Sequence, residues 1–589
     1  MLKSLLRLRP FIAPYRWRLS FGVGAFGLAR LFEGLVPFFL AMGIDRIAAG
    51  NGDVALPVLG IGAAVAVRYL TVTTARYAVR TAGQRVAFDL RQRLYGDLQR
   101  QGARFFNQHS IGDMMTRAVA DISLIQRLIA MGTILVIILA YATLVGFSFM
   151  LYFSPALTLL LLPPMPFIYY HAKRLSRQMG SASMDVQNRL SELAAQTQEN
   201  LAGIRTIQAM AQEDNEIARF AATNEGYAGA FYSQARINSL MTAWMPTLAA
   251  ACSVTILGYG GHLVLSGEMT PGALVAFFMY VNMAVQPFRV AGFIVNLVQR
   301  GAVASDRLFE VFDRQAEVHD RPSGAAPTLI KGAIDMRGLT LRHEEGRGAA
   351  LEAVSLAIRP GETVAIMGRV GTGKTTLLKT LVRLFDPPPG TVFIDGVDVR
   401  DYPLEQLRAQ VVLVPQQAFL FGLSLRDNLS YDDPSRPIDQ VWTAAAAADL
   451  RDTIEGFPDG MDTLVGERGV TLSGGQKQRA TLARGLIREA PVLILDDCFS
   501  SVDTQTEERI LNELKHVRSG RTTLIVSHRV STARHANRIL ILDAGQVVEG
   551  GSHRELIDKG GLYAELERLQ RGGQPTGKPH FAWRAGASP

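Results

Sequence analysis

A chain of 589 residues is too long for one hydrophobic core and predicts two or more domains. A hydrophobic share of 48% beside 19% charged residues, with a mean hydropathy of +0.14, is high for a soluble protein and fits a chain divided between bilayer and cytosol. Two cysteines, Cys252 and Cys498, exclude a disulfide framework. The net charge of +8 gathers beside apolar segments, which points to membrane orientation and away from nucleic acid. The N-terminus is Arg-rich, but the apolar run after it is long and lacks a convincing cleavage site, so no cleavable signal peptide is expected.

A membrane-crossing helix needs about 20 apolar residues. Six stretches are candidates: Trp17 to Ile44, Val54 to Val79, Leu128 to Phe153, Ala156 to Tyr170, Leu240 to Leu265 and Gly272 to Val298. Six spans place both termini on one side. Lys3, Arg7, Arg9, Arg16 and Arg18 precede the first span, and Arg85, Arg91, Arg93, Arg100, Arg104 and Arg117 follow the second. Lys173, Arg174, Arg177, Arg189, Arg205 and Arg219 follow the fourth, whereas Ser154-Pro155 and Ser266-Gly267-Glu268 carry no cation. The positive-inside rule then puts both termini in the cytoplasm.

The two basic connections keep helical spacing with few breakers, so the spans are expected to run on as long cytoplasmic helices. Each turns back at a polar elbow, near Gly112 to Arg117 and near Gly203 to Thr206. Arg30, Glu33, Arg68, Asn282 and Arg289 fall inside spans, where charge is costly without a partner or a cavity. Glu33 can pair with Arg30 three residues away or with Arg68, and either simple neutralisation or a substrate path fits the pattern. Pro163, Pro164, Pro166, Pro246 and Pro287 predict kinked helices. The aromatics Phe277, Phe278, Tyr280 and Phe293 read more readily as packing than as a binding box.

Helical character ends near Phe312, and residues 314–333 read as a Pro/Gly-rich linker. From Ile334 to about residue 570, short apolar strands alternate with helices, as in an α/β domain. Residues 571–589 form a Gly/Pro-rich tail. Within this half, Gly368-Arg369-Val370-Gly371-Thr372-Gly373-Lys374-Thr375 follows the strand Thr363 to Met367 and precedes a helical run from Thr376. That is the setting of a P-loop, in which backbone amides cradle phosphates, Lys374 reaches the β- and γ-phosphates and Thr375 meets magnesium. The apolar strand Pro491 to Leu495 delivers Asp496 as a second magnesium contact. A third signal is Ser473-Gly474-Gly475-Gln476, a glycine turn opening a basic amphipathic helix and suited to an anion.

Together GRVGTGKT, VPQ (Val414 to Gln416), GERG (Gly466 to Gly469), LSGGQ (Leu472 to Gln476), LILDD, SSVD and SHR (Ser527 to Arg529) resemble the nucleotide-binding domain of an ATP-binding cassette transporter. With six spans in front, nearly the whole chain resembles a bacterial ABC exporter half-transporter of the multidrug and lipid type. The elbow Ile111 to Asp113 is similar to the family's coupling-helix motif. The resemblance implies an all-α six-helix transmembrane domain, residues 1–313, followed by a P-loop α/β ABC domain, residues 334–570. It further implies ATP and Mg2+ as cofactor set, with Gly368 to Thr376 on the phosphates and Thr375, Gln416 and Asp496 on the metal. Ser473, Gly474, Gly475 and Gln476 would contact ATP held by a partner subunit, Asp503 would lie at the dimer interface, and His528 would contact the γ-phosphate. His343 aligns with the aromatic residue that stacks on adenine; a plain surface histidine fits equally.

One position departs from the family pattern. The glutamate that normally follows the Walker B aspartate, and polarises the attacking water, is here Asp497. Aspartate is one methylene shorter, about 1.5 Å less reach, and a misplacement of about 1 Å can cost on the order of 100-fold in rate. The expectation is an own ATP site that binds well and hydrolyses slowly, in one half of a heterodimer whose partner keeps the glutamate and has an altered LSGGQ. The expected function is ATP-driven export of a small or amphipathic molecule across the bacterial cytoplasmic membrane, with no nucleic acid partner. A homodimeric lipid or glycolipid flippase, and an ATP-clamped sensor or channel subunit, are the alternatives. The spans exclude a soluble DNA-repair ATPase with a similar glycine turn.

Overall fold

The computed structural model describes residues 2–161, 164–320, 329–342, 349–466, 469 and 471–572. It divides into two compact units: the chain up to Gln99 with His109–Arg314, and Arg100–Gln108 with the chain from Gln315 onward.

The first unit is helical. Its long rods are α1 (Arg16–Ala48), α2 (Ala55–Arg100), α3 (Ile111–Phe153), α4 (Pro164–Ala202), α5 (Glu213–Thr255, continuing through Gly261–Leu265) and α6 (Pro271–Phe312). Among the described residues, Arg9–Ala48, Ala55–Arg100 and Ile111–Phe153 are long and apolar enough to cross a membrane, and Cys252–Leu265 and Pro271–Met283 add shorter apolar stretches. The expected fourth span includes Leu162 and Pro163, which lie outside the described residues. The side chains of Pro164, Pro166, Pro246, Pro287 and Arg289 lie outside them too. Packing pairs α4 with α5, and sets α6 along α1 and α3.

The first elbow is the opening of α3, and the second is a short helix between α4 and α5. Ser110 caps Ile111–Thr116 by accepting from the Asp113 amide at 3.2 Å, while Ile204–Ala209 follows Gly203. Asp113 is bound by Arg117 (2.9 Å) and Arg307 (2.5 Å), and Arg307 also pairs with the buried Asp121 (3.3 Å). These ion pairs tie the start of α3 to α6, and breaking a partly buried pair would strand its partner. Inside the spans Glu33 accepts from both Arg30 and, at 3.2 Å, Arg68. One carboxylate therefore answers two guanidinium groups. Phe277 and Tyr280 are fully buried; Phe149 stacks on Tyr280 at 5.1 Å and the Tyr280 hydroxyl donates to Gly34 O at 2.7 Å. These two aromatics are packing.

The second unit carries two sheets. An antiparallel one runs β2 (Ala349–Ile358), β1 (Ile334–Arg342), β4 (Val392–Ile394), β5 (Val397–Asp398). The larger runs β10 (Gln546–Gly551), β9 (Arg538–Asp543), β3 (Thr363–Met367), β8 (Thr522–Val526), β7 (Val492–Asp496), β6 (Val411–Val414), parallel except for the β9–β10 hairpin. Every residue of β7 and β8 is buried, which is why LILD and TLIV read as continuous apolar runs. Val492 and Ile494 enter one core with Leu377 and Leu381; Leu493 and Leu495 enter the other with Leu482 and Ile510. The period-2 alternation of a strand thus clamps the sheet between helices α7 (Lys374–Leu381), α8 (Gly474–Leu486) and α9 (Thr504–Val517). The last described helix is α10 (Leu562–Gln570).

The nucleotide site

Four of the motifs sit at the carboxyl ends of four adjacent strands, the usual place for a ligand in an open parallel sheet. The loop after β3 begins at Gly368, β7 ends on Asp496, β8 is followed by His528, and β6 by Gln416. Strand register aligns them: Asp496 pairs with Val526, Val526 with Ile366, and Leu495 with Val414.

These ends enclose a cavity of about 270 Å³ lined by Val370 to Thr376, Gln416, Asp496, Asp497 and His528, with Ala350 and Val526 completing the wall. The loop needs glycine at both ends. At Gly368 (φ +153°) a Cβ would fall 2.0 Å from Leu542 O, and at Gly373 (φ +93°) 2.3 Å from Ala350 O. Gly373 immediately precedes α7, so the helix opens with its free amides toward the cavity.

Lys374 is buried and folds its Nζ onto the loop's carbonyls, donating to Arg369 O at 2.7 Å and Gly368 O at 2.9 Å. Burial pushes its ammonium down, against the pull of Asp497 and Asp496. Gly368 and Arg369 therefore serve the lysine and are not part of the wall. Thr375 Oγ1 donates to Asp496 Oδ1 at 3.2 Å. Burial pushes the Asp496 carboxyl above the usual range; the threonine bond opposes this and the neighbouring Asp497 adds to it. A buried carboxylate held up by desolvation, beside a hydroxyl, fits a divalent cation that would offset the buried charge. Among the described residues no cluster of three or more His, Cys, Asp or Glu occurs. Asp496 and Thr375 offer one carboxylate and one hydroxyl, a set that magnesium completes with waters and phosphate oxygens.

Asp497 turns the chain sharply, with φ +45°, and its amide donates to Val526 O at 2.9 Å. Gln416 Nε2 donates to its Oδ2 at 3.3 Å. The structure thus brings Gln416, Asp497 and His528 to one wall. It does not bring the LSGGQ turn there. None of Ser473, Gly474, Gly475 and Gln476 lines this cavity. They close on themselves: Ser473 Oγ accepts from the Gln476 amide at 3.3 Å and Gln476 Oε1 from the Ser473 amide at 2.9 Å, a capping box. Gln478, behind the turn, reaches Ser500 Oγ at 2.7 Å and the Ser501 amide at 2.8 Å, joining the turn to the loop before Asp503. Asp503 itself caps α9 through the Thr506 amide at 2.9 Å. His343 lies outside the described residues. Ala350 and Val526 were not foreseen as lining, since an alanine and a strand valine carry no sequence signal for it.

Comparison with known proteins places the chain in a family. The family model described as the ABC transporter transmembrane region matches residues 20–288, and that described as ABC transporter matches residues 351–500. The chain belongs to the ABC transporter family and is an exporter-type ATPase that couples ATP hydrolysis to transport. It is 32% identical, over 98% of its length and 100% of the relative's, to the uncharacterized ABC transporter ATP-binding protein YknU of Bacillus subtilis. It is 34% identical to the ATP-dependent lipid A-core flippase of Syntrophus aciditrophicus, over 83% of this chain and 81% of the flippase. Among solved structures it resembles a bacterial Atm1-family ABC exporter with ATP bound, with a TM-score of 0.75 at 26% identity, covering 97% and 99% of the two chains.

Proposed function

We propose that this chain is one half of a dimeric exporter of amphipathic molecules in a bacterial inner membrane, with an ATP pocket of its own that binds nucleotide and turns it over slowly. The observation that carries this is the Asp496-Asp497 pair at the end of β7. Asp496, Thr375 and Gln416 are the residues that would hold magnesium, and the ion when bound supplies positive charge to the phosphates. Lys374 and the amides of Gly371 to Thr376 hold the phosphates, His528 contacts the terminal one, and His343 stacks on adenine. Asp497 occupies the position of the water-polarising base, and its side chain stops one methylene short.

The LSGGQ turn of this chain closes over ATP bound by the partner subunit. A Ser-Gly-Gly helix start that does not line its own chain's cavity suits an anion brought by a second chain. The partner has glutamate after its Walker B aspartate, so the complex hydrolyses there. The basic connections keep both termini and the ATP domain cytoplasmic. The domains run 1–313 and 334–570, with 314–333 as linker and 571–589 as tail.

A second reading is a homodimeric lipid or glycolipid flippase. The names of several relatives as lipid A-core flippases favour it, as does the positively charged Arg30–Glu33–Arg68 group within α1 and α2. Purification from native membranes through a tag on this chain separates the two. A distinct half-transporter should copurify, and the mixed complex should turn over ATP at least about tenfold faster than this chain alone. Equal turnover by the chain alone would overturn the asymmetric reading and leave the flippase.

A further inference from the structure

Helix α10 carries none of the family's motifs, yet it ends on the loop that holds His528. Its base is firmly set. Tyr563 is fully buried in a core with Ala365, Ile539, Ile541 and Val530, and its hydroxyl meets His553 Nδ1 at 2.7 Å. The last residue of the helix, Gln570, is exposed, and its amide engages the switch loop at both ends. Oε1 accepts from the Val530 amide at 2.8 Å, and Nε2 donates to His528 O at 2.6 Å.

The same loop is gripped from the other side. Ser527 Oγ accepts from the Arg529 amide at 3.0 Å and contacts Thr532 Oγ1 at 3.1 Å. Arg529 donates to Val502 O at 3.2 Å and to Ser500 O at 3.3 Å, and pairs with the buried Glu507, which also accepts from Thr532. These contacts bind the loop to the segment leading into Asp503. They leave the His528 carbonyl and the Val530 amide to Gln570, while the Val530 carbonyl accepts from the Arg534 amide at 3.1 Å. A histidine side chain aimed into a cavity is only as fixed as its own backbone.

We propose that Gln570 is a positioning residue for ATP hydrolysis: its two hydrogen bonds set the main chain on either side of Arg529, and so the direction of the His528 side chain. A side-chain amide suits this, because one bond needs an acceptor and the other a donor, and the amide offers them on two separate atoms. The proposal rests on the reading that His528 acts at the terminal phosphate.

The test is single-turnover hydrolysis by the full-length chain in lipid nanodiscs, with protein in excess over labelled ATP so that a slow site is still read. Gln570→Met keeps the size and removes both bonds; Gln570→Glu keeps the acceptor alone. Met should slow hydrolysis by about tenfold and Glu by about threefold, with affinity for a non-hydrolysable ATP analogue within about twofold of wild type. On a His528→Ala background, Gln570→Met should add nothing, because the two act through one group. If His528→Ala slows turnover and Gln570→Met does not, the inference about Gln570 fails alone. Equal losses of affinity and rate, or additive losses in the double variant, make Gln570 a structural residue and overturn it. If His528→Ala itself leaves turnover unchanged, the reading of His528 fails and takes this proposal with it.

Discussion

Two helices of the nucleotide unit begin with a glycine turn, and their surroundings differ. At α7 the turn faces a cavity whose other walls bring a buried lysine, two aspartates and a histidine. At α8 the turn has a capping box and does not line that cavity. Both have the amides and dipole that attract anions. The first has the cation and the carboxylates needed to bind and work on a nucleotide, and the second has only the binding half. A helix start becomes a reaction site through what the neighbouring strands deliver, and on the proposed reading α8 obtains that from another chain.

Four substitutions would break or sharpen this contrast. Lys374→Ala removes the cavity's own cation and should weaken ATP binding by at least about 100-fold, measured by equilibrium binding of labelled ATP. Gly474→Asp places an acid on the α8 turn, where a Cβ has ordinary contact with Ser501 at 3.5 Å, so the fold should be kept. Hydrolysis by the assembled dimer should fall by tens of fold while nucleotide affinity of the Lys374 cavity stays within about twofold. Equal loss at both would mean the α8 turn belongs to the same cavity after all.

The remaining two concern stability. Arg518 is buried and donates to Ala490 O at 2.5 Å and Thr522 O at 2.9 Å, tying β8 to the residues before β7. Arg518→Ala strands those carbonyls at a cost of about 2–3 kcal/mol, lowering the thermal midpoint of the nucleotide unit by about 8 °C in calorimetry. Asp496→Asn should act in the opposite direction. Burial raises the Asp496 pKa in the folded chain, so its contribution to stability is present at acid pH and lost as pH rises through that raised value. At pH 7.5 without nucleotide the asparagine variant should therefore melt about 2 °C higher than wild type, the gap closing below the ordinary carboxylate pKa. A midpoint unchanged at pH 7.5 would mean that the carboxylate is not desolvated.

The lysine cavity was legible because its chemistry is local. GRVGTGKT, the strand before it and LILDD each carry their role within a few residues, and parallel pairing brings them together. The fate of Ser473 to Gln476 was harder to read: the residues themselves assign the turn an anion, and only the family resemblance assigns that anion to a partner chain. In the spans, the spacing left Glu33 a choice between Arg30 and Arg68, and the helices let it take both. Gln570 was invisible. It stands 42 residues from His528 at the end of an ordinary amphipathic helix, and only the packing of Tyr563 decides where that end falls.

The most direct measurement is the ATP turnover of the purified chain with Asp497→Glu. If the missing methylene makes this chain's own site slow, restoring it should raise turnover by about 10- to 100-fold, with nucleotide affinity unchanged. A variant no faster than wild type would show that Asp497 already serves as an adequate base, or that another group does its work, and the unequal pair of sites would fall.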